Sequence, residues 1–218
     1  MKDNAEVILG SAKADLVKNA KNLKGMRMGS AGSDHFQKEG MFPEGAVLTN
    51  ASGAYGLAIS EHMLGMLLMI MKKLDAYRDN QKEHVWKDEG DILSVYGSTV
   101  LVIGLGNLGG EFAKRVKALG AKVIGVKRSK GEKPDYVDEL YTASEIDRLI
   151  PEADVVALAV PSTGDTQKTL SAERISRLKP NAIVINVGRG TAVDTEALAD
   201  ALLNKKIYGA GLDVTYPE

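Results

Sequence analysis

The feature that most constrains the fold is a series of short apolar segments that alternate with helical patterns from about residue 97 onward. Five of these segments lack polar alternation: 100–103, 122–126, 155–160, 182–187 and 207–212. Strands that are buried on both faces have this continuous apolar character, and the helices between them form the covering layers. The pattern therefore predicts an α/β fold built on a parallel sheet.

Four helices are predicted between the strands: 108–119, 142–150, 171–178 and 194–204. In the first of these helices, apolar side chains repeat at helical spacing, and Gly120 follows as a helix-ending residue. Thr142 and Glu145 have the spacing of a capping box, which predicts the start of the second helix.

A glycine loop joins the first strand of this series to its helix. Gly104, Gly106 and Gly109 form a G-x-G-x-x-G pattern that includes Asn107 and Leu108. In a dinucleotide-binding loop the first glycine permits a tight turn, the second admits a pyrophosphate, and the third lets helix and strand pack closely. The helix N-terminus then supplies unpaired N–H groups to the phosphates. The alternative is a structural glycine-rich turn.

The residues after the second strand indicate which dinucleotide is bound. An enzyme that uses NAD usually has an acidic residue there for the ribose hydroxyls. This chain instead has Lys127, Arg128, Ser129 and Lys130. A guanidinium can pair with a 2′-phosphate in bidentate fashion, whereas a carboxylate would repel it. We therefore expect NADP as the preferred cofactor and NAD as a second one, with a solvated basic turn as the alternative.

The first quarter of the chain has a different sequence pattern. Two strand-like runs, 6–9 and 46–49, flank a glycine-containing segment at 25–34, and a long helical pattern follows over 56–80. The centre of this pattern is apolar all round, which predicts a buried helix. Its methionines favour a protein core or a subunit interface, with a soft-metal or promiscuous binding surface as the alternative.

Composition excludes several classes of function. The 218 residues carry 28 basic and 29 acidic side chains, a balance that does not favour binding to nucleic acid or to anionic membranes. There is no cysteine, so disulfides, thiolate nucleophiles and cysteine-bound metals are excluded. The longest apolar run, 63–71, is shorter than the ~20 residues of a membrane span. These features predict a soluble cytoplasmic protein without a metal site.

The order of motifs resembles the D-isomer-specific 2-hydroxyacid dehydrogenase family. Five segments carry the resemblance: SAGSD (30–34), TNASGAYGLAISEH (49–62), VIGLGNLGG (102–110), INVGRGTAVD (185–194) and GAGLDVTYPE (209–218). The resemblance implies a Rossmann-type doubly wound parallel sheet, part of a second, flavodoxin-like substrate domain, and a homodimer. It implies a partial substrate domain over 1–55, an interdomain and dimerisation region over 56–96, and a nicotinamide dinucleotide-binding domain over 97–218.

The resemblance also implies roles for individual residues. Arg189 matches the arginine that binds the carboxylate and carbonyl of the substrate. Glu218 matches the glutamate that orients the catalytic histidine, and Asp213 matches an acid near the nicotinamide. The loop that matches the substrate-carboxylate site contains Ser30, Ala31 and Gly32. The remaining expected cofactor contacts are Pro161, Val187 and Gly188.

Chemistry supports the expected role of Arg189 independently. A 2-keto acid is an anion, and arginine offers a planar fork that fits a carboxylate. Gly188 and Gly190 leave this arginine uncrowded at the carboxyl end of a predicted parallel strand, where ligands bind in such sheets. The alternative for Arg189 is a structural arginine on the surface. The alternative for the loop at 30–32 is an ordinary turn that does not bind an anion.

The proton donor of the family lies in a Pro-His segment after the position of Glu218, and the sequence ends there. His35, His62 and His84 do not follow a core strand, and we expect each to be structural, with His62 inside the buried helix. The chain is therefore expected to be the middle of such an enzyme, shortened at both ends.

The predicted function is NADPH-dependent reduction of a small 2-keto acid such as glyoxylate or hydroxypyruvate to a D-2-hydroxy acid. We expect the 218-residue chain to bind nucleotide and to turn over poorly, because general acid catalysis typically contributes roughly 10²–10⁴-fold. One alternative is a nucleotide-binding module without turnover. Another is a different Rossmann protein, such as an amino acid dehydrogenase, although no catalytic lysine can be placed in its cleft.

Overall fold

The computed structural model describes residues 4–36, 38–129 and 131–217. Lys130 and Glu218, for which the sequence predicted roles, lie outside these described residues. The chain divides into two compact units, Met1–Tyr55 and Gly56–Glu218. None of the helices in the described ranges is both long and apolar enough to cross a bilayer.

The first unit is a small parallel sheet with one short helix. Its elements are β1 (Val7–Leu9), α1 (Ala14–Val17), β2 (Gly25–Arg27), a 3-10 helix (Asp34–Phe36) and β3 (Val47–Thr49). The strand order is β1-β2-β3, with all pairs parallel. The sequence patterns missed β2, because only one of its three residues, Met26, is buried. That side chain packs with Val17, Leu23 and Phe36 in the core of the unit.

The second unit contains a six-stranded parallel sheet. The strands are β4 (Thr99–Ile103), β5 (Lys122–Lys127), β6 (Glu139–Thr142), β7 (Val155–Leu158), β8 (Ile183–Asn186) and β9 (Gly209–Leu212). Their order is β6-β5-β4-β7-β8-β9, with the first strand in the middle and the chain extending to both sides of it. This is the doubly wound order of dinucleotide-binding sheets, so the predicted fold class is confirmed. The edge strand β6 was missed because none of its residues is fully buried.

Helices cover both faces of this sheet. They are α2 (Gly56–Met71), α3 (Leu74–Lys82), α4 (Asn107–Ala118), α5 (Ile146–Leu149), α6 (Ala172–Ser176) and α7 (Thr195–Leu203). In β4, Val100 and Val102 face the core formed with α2 and α4, whereas Leu101 and Ile103 face the core formed with α5, α6 and α7. Both sets are buried, which explains the absence of polar alternation in the strand sequences.

The long helical pattern over 56–80 differs from the prediction in two ways. Helix α2 ends at Met71, and α3 begins after Lys73, which has a left-handed backbone (φ 52°). The predicted burial on all sides is wrong for the single chain, since Leu57 is 61% exposed and Met69 is 47% exposed. The physical reason is that α2 lies on one face of the sheet, so only one side of the helix meets the core.

The predicted capping box is also wrong. Thr142 precedes a 3-10 helix (Ala143–Glu145) rather than an α-helix, and its side chain makes no capping hydrogen bond. Its hydroxyl lies 3.0 Å from that of Ser144, and the Glu145 carboxylate accepts from Arg148 at 3.2 Å. The tighter first turn leaves no reciprocal pair of the kind that a capping box requires.

Two aspartates complete the backbone hydrogen bonding at the amino edge of the sheet. Asp154 accepts from the Thr99 N–H at 2.8 Å and from the Lys179 ammonium at 2.9 Å. Although burial favours its neutral form, these hydrogen bonds hold the pKa of Asp154 below its ordinary value. Asp138 accepts from Lys117 and from the Val123 N–H, and both bonds lower its pKa. Both carboxylates therefore stabilise the folded state at pH values above their ordinary pKa. This stabilisation is lost as the pH falls through their lowered pKa values in the folded protein.

Candidate functional site

The glycine loop forms a tight turn at the carboxyl end of β4. Gly104 has a φ of 96°, in the left-handed region. The N–H groups of Gly104 and Leu105 both donate to the Val126 carbonyl, at 3.0 and 3.1 Å. A Cβ on Gly104 would lie 2.6 Å from the Ala159 oxygen. The loop is thereby held between β5 and the segment that follows β7.

The next two glycines of the loop differ in what surrounds them. Gly106 caps α4, is exposed, and has no heavy atom within 4 Å of the position of a Cβ. A Cβ on Gly109 would instead overlap the carbonyl oxygen of Gly104. Asn107 and Leu108 begin α4, whose first turn carries no side-chain cap. Open space in front of an uncapped helix N-terminus is what a pyrophosphate requires, so these residues fit a dinucleotide.

The basic turn follows β5 at the same edge of the sheet. Lys127 is half-buried at the end of the strand, and Arg128 and Ser129 are exposed. Among the described residues, the Arg128 side chain forms no hydrogen bond or ion pair. Its guanidinium is therefore available to an anionic group placed beyond the end of β5.

The arginine loop after β8 is held by a buried asparagine. Asn186 is 1% exposed, donates to the Arg189 carbonyl at 3.0 Å and accepts from the Gly188 N–H at 3.1 Å. Gly188 packs closely, since a Cβ there would lie 2.6 Å from the Val160 oxygen. Val187 is buried, and Arg189 itself is half-buried. The sequence analysis did not select Asn186, although a polar residue ending an apolar strand run was a visible signal.

The loop after β9 packs against the arginine loop. The Asp213 N–H donates to the Asn186 carbonyl at 3.0 Å. A Cβ on Gly190 would overlap the Thr215 carbonyl group, and the Thr195 hydroxyl donates to the Tyr216 carbonyl at 2.9 Å. Arg189 and Asp213 thus lie on neighbouring loops at the carboxyl edge of the sheet. Pro161 lies on the exposed segment after β7.

A histidine that the sequence analysis dismissed lies at this edge. The Nε2 atom of His62 is 3.3 Å from an oxygen of Asp213, and its side chain is 55% exposed. The predicted burial of His62 is therefore wrong, because the residue lies on the open side of α2. The His35 ring lies beside that of Phe36, with ring centroids 4.3 Å apart and planes tilted by 43°, and His84 follows α3.

The loop predicted to hold a carboxylate lies in the first unit. The Ser30 hydroxyl donates to the Gly32 carbonyl at 3.2 Å, and the Asn50 amide donates to the Ala31 carbonyl at 2.8 Å. The backbone N–H groups of Ala31 and Gly32 donate no hydrogen bond within the part of the chain that the structure describes. Two free N–H groups in a fixed loop are suited to binding an anion.

Comparison with known proteins identifies the family. The sequence profile described as "D-isomer specific 2-hydroxyacid dehydrogenase, NAD binding domain" matches residues 64–218. The chain belongs to this family. Its relatives in the family include enzymes such as hydroxypyruvate reductase, glycerate dehydrogenase and D-3-phosphoglycerate dehydrogenase.

The hydroxypyruvate reductase of Thermotoga maritima is 32% identical over 205 residues, which are 92% of this chain and 65% of that protein. The chain therefore spans about two thirds of the length of this relative.

Two solved structures relate the fold to bound cofactors. D-lactate dehydrogenase from Aquifex aeolicus, complexed with NAD and lactic acid, is 31% identical with a TM-score of 0.86, covering 99% of this chain and 66% of that one. The NADPH-dependent glyoxylate/hydroxypyruvate reductase of Sinorhizobium meliloti, complexed with NADP and sulfate, is 27% identical with a TM-score of 0.85, covering 100% and 70%. Family members with this fold thus bind either dinucleotide.

Substitutions in the glycine loop should separate cofactor binding from folding. Gly106→Ala adds a methyl group in open space, so the melting temperature should be unchanged while dinucleotide affinity falls about tenfold, or about 1.4 kcal/mol. Gly109→Ala forces a methyl group onto the Gly104 carbonyl and should destabilise the fold by about 1–3 kcal/mol. Thermal melts and titration of NADPH fluorescence measure the two effects. A Gly106→Ala protein with wild-type affinity would contradict the assignment.

Proposed function

We propose that this chain is part of an enzyme that reduces a small 2-keto acid to a D-2-hydroxy acid with a nicotinamide dinucleotide. The observation that carries the proposal is the position of Arg189 in a loop held by Asn186, on the edge of the sheet that also carries the glycine loop. A dinucleotide bound at that edge supplies the hydride. The protein residues bind and orient the anionic substrate.

The arginine has two tasks in this proposal. Its guanidinium binds the substrate carboxylate and polarises the adjacent carbonyl, and its positive charge offsets the negative charge that develops on the carbonyl oxygen. For the loop of Ser30, Ala31 and Gly32 in the first unit, we propose that the free N–H groups of Ala31 and Gly32 bind a carboxylate. The functions of the Thermotoga and Sinorhizobium proteins support glyoxylate or hydroxypyruvate as the substrate.

The proposed cofactor preference is for NADP, with NAD as a second cofactor. Arg128 is exposed and unpaired among the described residues, and no carboxylate stands at the end of β5 to bind the ribose hydroxyls. The NADP complex of the Sinorhizobium enzyme supports this assignment, whereas the NAD complex of the Aquifex enzyme shows the other outcome within the family.

We also propose a homodimer, formed through the exposed side of α2 and the segment after α3. Leu57 and Met69 on α2 are exposed, and Trp86 is fully exposed. Large apolar and aromatic side chains in this state are typical of the centre of a protein interface. The cytoplasmic location expected from composition stays a prediction.

Replacing Arg189 tests the reaction. Arg189→Gln should lower kcat/KM for glyoxylate or hydroxypyruvate about a hundredfold, as expected for losing charge-assisted hydrogen bonds worth about 3 kcal/mol. NADPH oxidation followed by absorbance measures the rate, and the surface variant Arg78→Gln is the control. An Arg189→Gln protein with the kcat/KM of the wild type would contradict the role proposed for this arginine.

Replacing Arg128 tests the cofactor preference. The wild-type protein should bind NADPH more tightly than NADH. Arg128→Asp should weaken NADPH binding by about 1.5–3 kcal/mol, because a phosphate contact is lost, and should not weaken NADH binding. Lys21→Asp, which makes the same change in net charge in the first unit, is the matched control. A wild-type preference for NADH, or an Arg128→Asp protein with an unaltered cofactor preference, would show that the basic turn is exposed to solvent and does not bind the 2′-phosphate.

Light scattering tests the assembly. The wild-type protein should have the mass of a dimer at micromolar concentration, and the double variant Met69→Lys/Trp86→Ser should shift it towards the monomer. Leu203→Lys changes another exposed apolar side chain, on α7, and should leave the mass unchanged. A wild-type monomer at this concentration would contradict the proposal.

A further inference from the structure

Helix α2 lies directly on β9 because the strand carries glycines where the helix crosses it. A Cβ on Gly209 would lie 2.7 Å from the Ile70 Cγ2 atom, and a Cβ on Gly211 would lie 3.1 Å from the Cβ of Met66. A larger residue at either position of β9 would crowd the helix side chains Ile70 and Met66. The glycines therefore set the distance between α2 and the strand.

The same spacing continues to the carboxyl end of the strand. Four residues of an α-helix advance about 6 Å, and two residues of a strand advance about 6.6 Å. Ile70 and Met66 on α2 lie over Gly209 and Gly211, so the next step along both elements brings His62 to Asp213. In the structure, His62 Nε2 lies 3.3 Å from Asp213 Oδ1. Backbone packing thus brings the two residues within reach of each other.

Asp213 is also tied to the arginine loop. Its N–H donates to the carbonyl of Asn186, and the Asn186 side chain holds Gly188 and Arg189. The glycine loop after β4 and the basic turn after β5 fit the pyrophosphate and adenosine half of a dinucleotide. In a doubly wound sheet the other half extends over the strands on the opposite side, which here are β7, β8 and β9. Asp213 therefore stands at the nicotinamide end.

We propose that His62 is a positioning residue that holds the Asp213 carboxylate at the nicotinamide end of the site and offsets its negative charge. The inference rests on the proposed binding of a nicotinamide dinucleotide at this edge of the sheet. The oxidised nicotinamide ring is positively charged and the reduced ring is neutral. A mobile, uncompensated carboxylate beside the ring would favour the oxidised form, so His62 raises the affinity for the reduced dinucleotide relative to the oxidised one.

The test measures dissociation constants for NADPH and NADP⁺ by fluorescence and calorimetry, without substrate. His62→Leu should raise the ratio of the NADPH dissociation constant to the NADP⁺ dissociation constant about two- to fivefold, the effect of a half-exposed pair of polar side chains. In an Asp213→Asn background the same substitution should leave the ratio unchanged, because its effect acts through the carboxylate. His62→Gln keeps an N–H donor and should return the ratio close to that of the wild type.

Because the side chains of His62 and Asp213 are both about half exposed, we expect the variants to fold. Their melting temperatures check this. His84→Asn removes another exposed imidazole at a residue whose positive φ suits asparagine, and it should leave the ratio at the wild-type value. An unchanged ratio in His62→Leu, an equal change in the Asp213→Asn background, or a His62→Gln ratio equal to that of His62→Leu would overturn the proposal. Because no turnover is measured, failure to reduce 2-keto acids would contradict the proposed reaction and not this inference.

Discussion

The site depends on close backbone contacts at the carboxyl edge of the parallel sheet. Gly109 lies against the Gly104 carbonyl, Gly188 against Val160, and Gly190 against the loop after β9. At each of these positions a single methyl group would displace a loop or a helix. The loops that carry Arg189 and Asp213 are therefore fixed by main-chain packing.

The two edges of the sheet differ in how their polar groups are satisfied. At the amino edge, Asp138 and Asp154 accept hydrogen bonds from the backbone at the starts of β5 and β4 and from lysines, so the protein satisfies its own groups. At the carboxyl edge, the helix N-terminus at Gly106 carries no side-chain cap. An edge whose polar groups are paired contributes stability, whereas an edge with open donors binds ligands. The proposed chemistry belongs to the second edge for that reason.

Much of the second unit could be predicted because its signals are local. The apolar strands β4, β5, β7, β8 and β9 were predicted from runs of buried side chains. The strands that were missed, β2 and β6, are short or lie at an edge, so too few of their side chains are buried to leave an apolar run. The uninterrupted helix over 56–80 failed for a related reason, since apolar composition does not reveal a backbone break at Lys73 or show which side of α2 meets the sheet.

The sequence by itself determined the parallel α/β fold, the glycine loop, the basic turn and the arginine loop. Each of these follows from residue types that are adjacent in the chain and from the backbone conformations that they allow. Only the tertiary structure decided that His62 lies beside Asp213. The physical reason is that this contact joins elements far apart in sequence. Its geometry is set by how closely α2 and β9 pack, which depends on glycines on the strand and on side chains of the helix.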